Sequence, residues 1–412
     1  MDAAWQQWFL TQGRKATTVM ELVDSFCVEM KNHGLHLLRA NCMIRTLHPQ
    51  LEFMVYTWQP SVGKRVDISD AARVFERRLH RMGPNSVEEF LVSHGHVEEE
   101  MFLLSPFYLS MRDHRGLRMD PSSEEKGAYP MLADLCSMGA TDYVVLPIEL
   151  QPPYTGAMSF ACSEPNGFTD AQVQLLEELQ PWFSICIAPL LVQSAAYVVL
   201  STYLGRNPAS QVMDGHIRLG DIAEMDAVLG FIDMRGFTKH SAQMSGTDLV
   251  EMLDAFFSVL NEVLGRFNGE ILKFMGDGAL FVFKLEDSEL GQRCADAVDA
   301  VDALDGAMNE LLKERAQLGK QVFEYGVALH YGRVMYGNVG APTRLDFTVI
   351  GPAVNLTARL EAICTRCGMG LVVTPAFASV VPDRFSSLGM FKMRGVDGEM
   401  EVFGRKREEE GQ

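Results

Sequence analysis

The sequence predicts an α/β (α+β) protein of two domains: an N-terminal mixed α/β domain and a C-terminal ferredoxin-like βαββαβ domain. The 412 residues are 47% hydrophobic and 22% charged, proportions typical of soluble globular proteins, and this length accommodates two or three domains. Turn-forming and polar residues cluster at 205–220, which predicts a boundary there. Downstream, strand and helix patterns follow in the order of a split βαβ unit. We therefore expect domains at 1–190 and 221–405, joined by a helical connector at 191–220.

Charge and cysteine content restrict the partners and the compartment. Lys and Arg number 36 against 54 Asp and Glu, so the net charge is −18, which argues against broad attraction to nucleic acid or to anionic lipid. The eight cysteines are scattered along the chain, and the first ten residues have neither the basic nor the continuous apolar part of a secretion signal. The sequence predicts a cytoplasmic protein.

In the N-terminal domain, alternating apolar and polar residues predict strands at 35–47, 51–58, 142–150 and 155–162. Thr169 and Gln172 form a capping box that begins a helix through Leu179. The strand, turn and helix at 156–179 resemble the end of a GAF-type sensory domain, which implies an unknown small-molecule or protein input. Three histidines raise the possibility of a metal or heme: His80, His94 and His96. No matching carboxylate or cysteine set accompanies them, which favours solvent-exposed histidines.

An uncharged segment at 181–204 is long enough to span a bilayer as a helix. It contains Pro189 together with polar residues such as Ser184 and Gln193, a composition more usual in a helix that packs against protein. We expect the last helix of the N-terminal domain, continued into the connector and paired across a dimer, rather than a membrane span.

The C-terminal domain begins with a strand at 226–233. Thr247 is expected to cap a long helix with apolar residues every three to four positions. Gly276-Asp277-Gly278 predicts the turn of a hairpin. The other expected elements are strands at 269–275 and 279–285, a helix at 288–318, strands at 321–331, 334–339 and 346–350, a helix at 353–364, and strands around Phe391 and Glu401.

Two acidic residues stand at predicted strand ends, Asp233 and Asp277. In the split order the first strand lies beside the central hairpin, so both carboxylates approach one point. Either aspartate alone would be interpreted as a turn residue, but two hard oxygen ligands with open positions suit Mg²⁺ that substrate phosphates also hold. The backbone amides of Gly236, Phe237 and Thr238 are then candidates to cradle phosphate oxygens.

These two segments resemble the metal-binding motifs of the class III nucleotidyl (adenylate/guanylate) cyclases. That family also places an Asn and, four residues later, an Arg on the helix after a strand, and here these are Asn355 and Arg359. The spacing puts both on one helix face. The alternative interpretation of this pair is an exposed helix face with a solvated Arg. Pro352 stands where many members have Asp, which affects helix entry rather than chemistry. Three matching segments in the family's order across 221–405 favour the resemblance.

Two further positions concern the base of the nucleotide. Lys273 lies four residues before Asp277, so strand geometry would keep it on the same sheet face as Met275 and Asp277. An ammonium only donates, which suits adenine N1 and not guanine N1–H. In the family, adenylate-making members carry Lys here, and Thr348 resembles the subgroup whose Thr accepts from the adenine amino group. By itself Thr348 also suits a strand. ATP is favoured over GTP.

The resemblance implies an adenylate cyclase that converts ATP into 3′,5′-cyclic AMP and pyrophosphate with two Mg²⁺ or Mn²⁺ ions per active site. Asp233 and Asp277, with the Met234 carbonyl, would hold the metals. Asn355 would orient the ribose and Arg359 would stabilise the transition state. In the family the aspartates and the Asn/Arg pair come from opposite subunits, so a homodimer with two equivalent sites is implied, regulated by the N-terminal domain.

Two other interpretations stay open. One is a guanylate or other nucleotide cyclase, because base choice rests on two side chains. The other is a catalytically weak nucleotide-binding regulator. The presence of all six functional positions argues against it: Asp233, Asp277, Lys273, Thr348, Asn355 and Arg359. The family's triphosphate-binding Lys has no clean match, and the candidates are Lys392, Arg394 and Arg344. Cys364 and Cys367 have zinc-knuckle spacing, but the sequence has no second pair at a suitable distance, so we expect free thiols.

Overall fold

The computed structural model describes residues 3–60, 76–82, 85–94, 100–123, 129–285, 290–393 and 398–405. The chain divides into two compact units, Met1–Thr202 and Tyr203–Gln412. The division falls inside the predicted connector, and a single helix, Asp170–Leu204, runs across the predicted boundary at residue 190. The last helix of the first unit thus continues into the connector, as expected, and both prolines, Pro181 and Pro189, are accommodated inside it.

The first unit is built on an antiparallel sheet with helices on both faces. Its strands are β1 (Leu37–Arg45), β2 (Leu51–Pro60), β3 (Glu76–Met82), β4 (Asn85–Ser93), β5 (Leu117–Met119), β6 (Asp142–Ile148) and β7 (Gly156–Cys162), in the order β3-β4-β2-β1-β7-β6-β5. Its helices are α1 (Ala3–Thr11), α2 (Val19–Asn32), α3 (Glu100–Leu103), α4 (Pro106–Asp113), α5 (Pro130–Ser137) and α6 (Asp170–Leu204). The four predicted strands are present with slightly different ends. The GAF-type assignment stays a prediction.

The sixth helix, α6, begins where predicted and continues much further. Gln172 and Thr169 form the expected reciprocal capping contacts. Leu176, Leu179 and Phe183 are buried in the main core of the unit. Among the described helices, α6 is the one whose length and composition would allow it to cross a membrane, with a mean hydropathy of 2.0 over an 18-residue window of which 28% is buried. Its first half is therefore a core element, and its exposed remainder is strongly apolar.

The predicted histidines of this unit have ordinary surroundings where they are described. His94 Nε2 lies 2.9 Å from the carbonyl oxygen of His48, and His48 Nδ1 accepts from the amides of Gln50 and Leu51. His96 and the side chain of His80 lie outside the described residues. The described histidines thus stabilise a turn rather than converge as metal ligands.

The second unit has a ferredoxin-like arrangement at its centre. Its strands are β8 (Ile222–Arg235), β9 (Glu270–Met275), β10 (Gly278–Lys284), β11 (Glu324–Ala341), β12 (Arg344–Ile350), β13 (Leu371–Val373), β14 (Ser386–Lys392) and β15 (Glu399–Arg405). The sheet order is β14-β15-β13-β11-β8-β10-β9, and β12 pairs with β11. The segment β11-β8-β10-β9 is the predicted split order. The first strand therefore lies beside the hairpin, as expected.

Helices cover both faces of this second sheet. They are α7 (Arg206–Met213), α8 (Phe237–Ser241), α9 (Gly246–Arg266), α10 (Leu290–Gln317), α11 (Pro352–Cys367) and α12 (Pro375–Val380). One face packs on α9 and α10, with Phe256 and Met308 fully buried against Phe281. The other face packs on α11 through residues such as Leu360. Because neighbouring strand residues point to opposite faces, Ile232 and Met234 belong to the first core, and Asp233 lies on the α11 side.

Two local predictions in this unit were wrong. Helix α9 is capped by Ser245 and not by Thr247: the Ser245 hydroxyl accepts from the Asp248 amide at 3.1 Å and donates to the Asp248 carboxylate at 2.6 Å, which places Thr247 inside the first turn. The strands predicted at 321–331 and 334–339 are one strand, β11. Gly332, which lies between the two predicted strands, continues the ladder opposite Ala227.

Candidate active site

The structure brings the two predicted aspartates together. Asp233 lies near the end of β8 and faces Gly278 of β10 across the antiparallel ladder. Asp277 is the residue immediately before Gly278 and occupies the turn between β9 and β10. It is therefore outside the strand, so strand alternation alone does not fix its side, and its shared face with Lys273 and Met275 stays a prediction. The convergence instead comes from the β8–β10 pairing.

Glycines shape this turn. Gly276 has φ of +68°, as the first central residue of a type II′ hairpin turn requires. Gly278 serves a different purpose, because a Cβ there would lie 2.5 Å from Asp233 Oδ1 and 2.7 Å from the Ile232 carbonyl oxygen. Only a residue without a side chain leaves room for the Asp233 carboxylate in its observed position.

The aspartates form a centre of uncompensated negative charge. The pKa of Asp233 is raised to about 7, chiefly by burial and in addition by the charges of Asp277 and Glu361. Burial also raises the pKa of Asp277 and of Glu361. Glu361, on α11, was not predicted, because a single carboxylate on an amphipathic helix is usually a solvated residue. A cation placed between these groups would relieve the repulsion.

The strand end that carries Asp233 is fixed by Arg235. Its Nη1 lies 3.2 Å from Glu324 Oε2, and its Nη2 donates to the carbonyl of Met369. Arg235 thus ties β8 to β11 and to the turn after α11. Met234 between them has its side chain in the hydrophobic core, which leaves only its backbone carbonyl as a possible ligand.

Backbone amides follow the strand end. Gly236 has φ of +68°, a conformation that favours glycine, and the chain then enters the short helix α8. The amide of Lys239 donates to the Gly236 carbonyl at 3.0 Å, so Gly236, Phe237 and Thr238 form the turn that begins this helix. The predicted phosphate-cradle residues therefore follow Asp233 closely in sequence and lie at the first turn of a helix.

Asn355 and Arg359 lie on α11 as predicted. Ala353, Thr357 and Leu360 of this helix are buried against the sheet, whereas Asn355 is exposed and Arg359 is half-buried. The helix begins at Gly351 with Pro352 in the first turn, the position that proline favours. The pair thus lies on the side of α11 away from the hydrophobic core.

Lys273 and Thr348 lie on β9 and β12. Thr348 pairs with Gly337 in the β11–β12 hairpin. The ammonium of Lys273 makes an ion pair with Asp346, two residues before Thr348. The sequence did not identify Asp346, because an aspartate in an exposed hairpin carries no signal of its own.

The candidates for binding the triphosphate lie at strand ends or outside the described residues. Arg344 begins β12 and Lys392 ends β14, both exposed, while Arg394 lies outside the described residues.

Cys364 and Cys367 are free thiols, and the Cys364 thiol donates to the Met369 carbonyl at 3.0 Å. Within the described ranges, no group of three or more His, Cys, Asp or Glu side chains comes together as a metal cage. A metal at the aspartates would therefore take its other ligands from backbone and substrate.

The second unit has the sequence of a nucleotide cyclase domain. Residues 223–407 match the family model of the adenylate and guanylate cyclase catalytic domain. The second unit of the chain accordingly contains a class III adenylate/guanylate cyclase catalytic domain, as the resemblance implied.

Three known proteins illustrate what the chain is similar to. An adenylate cyclase of Anabaena cylindrica is 26% identical over 190 residues, covering 46% of this chain and 37% of that protein. Adenylate cyclase 1 of Rhizobium meliloti is 29% identical over 181 residues, covering 42% and 26%. The crystal structure of an adenylyl cyclase from P. aeruginosa is 24% identical and covers 46% of this chain and 97% of that one, with a TM-score of 0.41. The chain thus spans well under half the length of the two curated relatives.

Proposed function

We propose that the protein is an adenylate cyclase that forms 3′,5′-cyclic AMP and pyrophosphate from ATP in a homodimer. The observation that carries this proposal is the convergence of Asp233 and Asp277 at the β8–β10 strand ends within a domain that matches the cyclase family. The match defines a nucleotide cyclase domain, and the choice of ATP, the dimer and the regulation are our own inferences from the residues.

The residues at the strand ends fit divalent cations. Two carboxylates with nearby backbone carbonyls are hard oxygen donors, the kind that Mg²⁺ and Mn²⁺ prefer. The pKa of Asp233, raised to about 7 by burial, Asp277 and Glu361, indicates a position where positive charge is missing. Asp233, Asp277 and the Met234 carbonyl would hold two ions. Bound there, the ions would lower the pKa of the ribose 3′-hydroxyl and neutralise phosphate charge.

The geometry of α11 supports a site shared by two chains. Glu361 is close enough to the aspartates of its own chain for its charge to raise the pKa of Asp233. Residues two apart on a helix point in nearly opposite directions, so Arg359 projects away from those aspartates. Asn355, four residues before Arg359 and exposed, belongs to the Arg359 side. A second copy, related by a two-fold axis, would supply Asn355 and Arg359 to the aspartates of the first.

In such a site each residue has a distinct task. Asn355 orients the ribose so that its 3′-oxygen lies in line with the α-phosphorus and the departing pyrophosphate. Arg359 donates hydrogen bonds to the charge that develops on the α-phosphate oxygens. The amides of Gly236, Phe237 and Thr238 bind phosphate oxygens through the first turn of α8. The 3′-oxygen forms its bond to phosphorus as the bond to the bridging oxygen breaks, and pyrophosphate leaves.

The choice of ATP rests on Lys273 and Thr348. The Lys273 ammonium donates, which matches the acceptor at adenine N1, and the Thr348 hydroxyl can accept from the adenine amino group. We further propose that the first unit is the regulatory part of a cytoplasmic enzyme, with α6 as its last element before the cyclase domain in the sequence. An antiparallel sheet covered by helices on both faces is compatible with a sensory module.

Product identification tests the proposal. Purified protein is incubated with ATP, GTP, CTP or UTP and Mg²⁺ or Mn²⁺, and cyclic nucleotide and pyrophosphate are quantified, with Asp233→Asn as a matched control that keeps the side-chain shape. We expect cyclic AMP as the main product and none from the control. Cyclic GMP at an equal rate would instead support a guanylate cyclase. Binding of nucleotide without any cyclic product would support a nucleotide-binding regulator.

A further inference from the structure

We infer that the second unit binds a purine nucleoside, carrying at most one phosphate, in a cavity between α7 and the start of β8. The cavity encloses about 640 Å³, within the range of pockets that take small organic ligands. Asn207 and Gln211 of α7 line one side, and Met225, Tyr336 and Phe347 of the sheet line the other. The inference goes beyond the proposed function, because it concerns a second ligand and not the substrate.

The cavity is separate from the proposed active site. Its lining includes Met225, close to the start of β8, whereas Asp233 lies near the other end of that strand. The extended strand between these two residues spans about 26 Å. Phe347 lines the cavity, and its neighbour Thr348 points to the opposite face of the sheet. A ligand in the cavity therefore leaves Asp233 and the Thr348 hydroxyl open to the substrate.

A buried hydroxyl among the lining residues lacks a hydrogen-bond partner. Tyr336 is 7% exposed, and its hydroxyl makes no hydrogen bond within the described part of the chain. Burial raises the pKa of this phenol, so the group stays protonated and can donate. An unsatisfied buried polar group destabilises the free protein. A ring nitrogen or carbonyl of a bound heterocycle would accept this hydrogen bond.

The other polar groups around the cavity combine donors with acceptors. The side-chain amides of Asn207 and Gln211 each offer a carbonyl oxygen and an NH₂ group, the combination that pairs with the edge of a purine. The main chain of β8 adds a second such edge. The Leu285 amide donates to the Asp226 carbonyl at 3.1 Å, after which the described ladder with β10 ends. By strand alternation the N–H and C=O of Glu224 point to the same edge.

Aromatic side chains and charge define the rest of the ligand. Tyr336 packs edge-to-face on Phe347, with 4.8 Å between ring centroids, and aromatic rings stack nucleobases. The Lys284 ammonium lies 5.1 Å from the centre of the Tyr336 ring, so it opposes a cationic ligand and attracts a phosphate. Asp221 and Glu224 also line the cavity, and their charges oppose a triphosphate. A nucleoside with one phosphate or none fits this balance.

The test measures binding in the full chain. Isothermal titration calorimetry in metal-free buffer is carried out with adenosine, guanosine, AMP and cyclic AMP, and with phenethylamine as an aromatic cation. We expect at least one of the four purine compounds to bind with a dissociation constant below about 100 μM, and phenethylamine not to bind. Tighter binding of AMP or cyclic AMP than of adenosine, lost in Lys284→Gln, would identify a monophosphate as the ligand. Equal binding would identify the nucleoside.

Photolabelling locates the bound compound. Labelling with 8-azidoadenosine and peptide mapping should mark residues 206–226 or the segments around Tyr336 and Phe347. A label confined to β9 and α11 would place the nucleoside in the active site and would overturn the inference.

Two conservative variants complete the test. Tyr336→Phe removes only the hydroxyl, and Tyr331→Phe on the same strand, outside the cavity, is its matched control. We expect Tyr336→Phe to weaken binding about 5- to 10-fold and to raise the melting temperature of the free protein by about 2–4 °C, because an unpaired buried group has gone. Tyr331→Phe should bind as wild type does.

Gln211→Leu keeps the size of the side chain, removes its amide, and should weaken binding about fivefold. Failure of all four purine compounds to bind, binding of phenethylamine in their place, or equal affinities of wild type and Tyr336→Phe would overturn the inference. A wild type that forms no cyclic AMP would refute the proposed function alone, since the binding measurements do not depend on turnover.

Discussion

The two halves of the candidate site differ in how far one chain completes them. The aspartate half, Asp233 and Asp277, is assembled by strand pairing, is partly buried, and has its charges close enough to shift each other's protonation. The helix half, Asn355 and Arg359, lies on the outward side of α11, with Asn355 exposed. The negative charge of the aspartate half and the hydrogen-bond donors of the helix half are complementary. The difference is what the proposed two-chain site requires, since each copy would carry both halves and each active site would combine the halves of two copies.

The largest effect should follow from removing either aspartate. Asp233→Ala and Asp277→Ala should each lower cyclisation at least a thousandfold, about 4 kcal/mol of barrier, because each takes away half of the metal-binding carboxylates. Each variant should remain folded, and in metal-free buffer near neutral pH it should melt no lower than wild type, since a repulsive charge has gone.

The control is Asp226→Ala, which removes an exposed aspartate from the other end of β8. It should retain wild-type turnover. Activity within about threefold of wild type in either Asp233→Ala or Asp277→Ala, less than 1 kcal/mol of barrier, is incompatible with a two-metal site.

The second prediction asks whether the halves meet across chains. Asp233→Ala and Arg359→Ala proteins should each be inactive alone, and their equimolar mixture should recover about a quarter of wild-type activity. This value follows because random exchange makes half of the dimers mixed, and each mixed dimer has one intact site of two.

Subunit exchange must be shown independently, for example with differently tagged copies. Mixing Asp233→Ala with Asp277→Ala gives the matched negative control, since both changes fall in the same half and every site stays defective. If exchange occurs and the first mixture remains inactive, the shared site is wrong.

The sequence predicted the aspartate half well because its signals are local. A strand that ends in Asp233 and a Gly-Asp-Gly turn at 276–278 are visible in the residues, and the split order decides that they are neighbours. The helix half was equally visible in the spacing of Asn355 and Arg359. The sequence did not show which way Asn355 and Arg359 face, because tertiary contacts decide which side of α11 packs on the sheet.

Other features required the folded structure. Glu361 lies near Asp233 and Asp346 pairs with Lys273, both far away in the chain, and a lone carboxylate in a helix or hairpin gives no sign of that. The strands predicted at 321–331 and 334–339 are continuous, because Gly332 between them keeps its ladder position opposite Ala227. Ser245 displaced Thr247 as the helix cap because two adjacent hydroxyl residues offer the same chemistry and only the backbone geometry selects one.

The third prediction tests how tightly the aspartate half is built. Gly278→Ala would place a methyl group where Asp233 Oδ1 lies, 2.5 Å from the new Cβ, and should lower turnover about 10- to 100-fold by displacing that carboxylate. The matched change is Gly276→Ala, where a Cβ meets nothing within 4 Å but the φ of +68° disfavours alanine.

Gly276→Ala should thus reduce stability by about 1 kcal/mol, with a smaller loss of turnover than Gly278→Ala. Both are measured by thermal melting and by initial rates at saturating metal. Equal turnover in the two variants would mean that turn strain, and not the space around Asp233, matters at this position.

The fourth prediction concerns base choice, which belongs to neither half. Guanine presents N1–H to the Lys273 donor, so an unpaired polar group would cost roughly 1–3 kcal/mol, about a 5- to 150-fold preference for each contact. The double change Lys273→Glu with Thr348→Cys should lower ATP use at least about tenfold. GTP use need not rise, because the rest of the pocket is unchanged. A double variant with an unaltered ATP:GTP ratio would show that these residues do not read the base.

The smallest effect should come from a pH test of the structure beneath the helix half. His330 in β11 lines a cavity of about 480 Å³ together with Gly351, Pro352 and Leu356 at the start of α11, and its Nδ1 lies 2.9 Å from the Thr374 hydroxyl. Burial lowers the pKa of His330 from 6.5 to about 4, so the folded domain holds the neutral ring while the unfolded chain takes up a proton below pH 6.5. The neutral His330 ring therefore makes its full contribution to folding stability above pH 6.5, and this contribution is lost as the pH falls toward 4.

Asp233 has the opposite effect, because its raised pKa favours the folded protein as the pH falls through 7. The pH dependence of wild-type stability therefore contains both contributions, that of His330 and that of Asp233. The informative quantity is the difference in melting temperature between wild type and His330→Asn, which keeps a polar group near Thr374 and does not titrate. Between pH 8 and pH 5 in metal-free buffer, wild type should lose about 1 kcal/mol more than His330→Asn after allowance for solvent screening, a shift of about 2–4 °C. Because the Asp233 contribution is present in both proteins, it cancels from this difference. A difference that stays constant across this range would mean that the imidazole under α11 is accessible to solvent, and that the helix half is as open at its base as it is on its outer face.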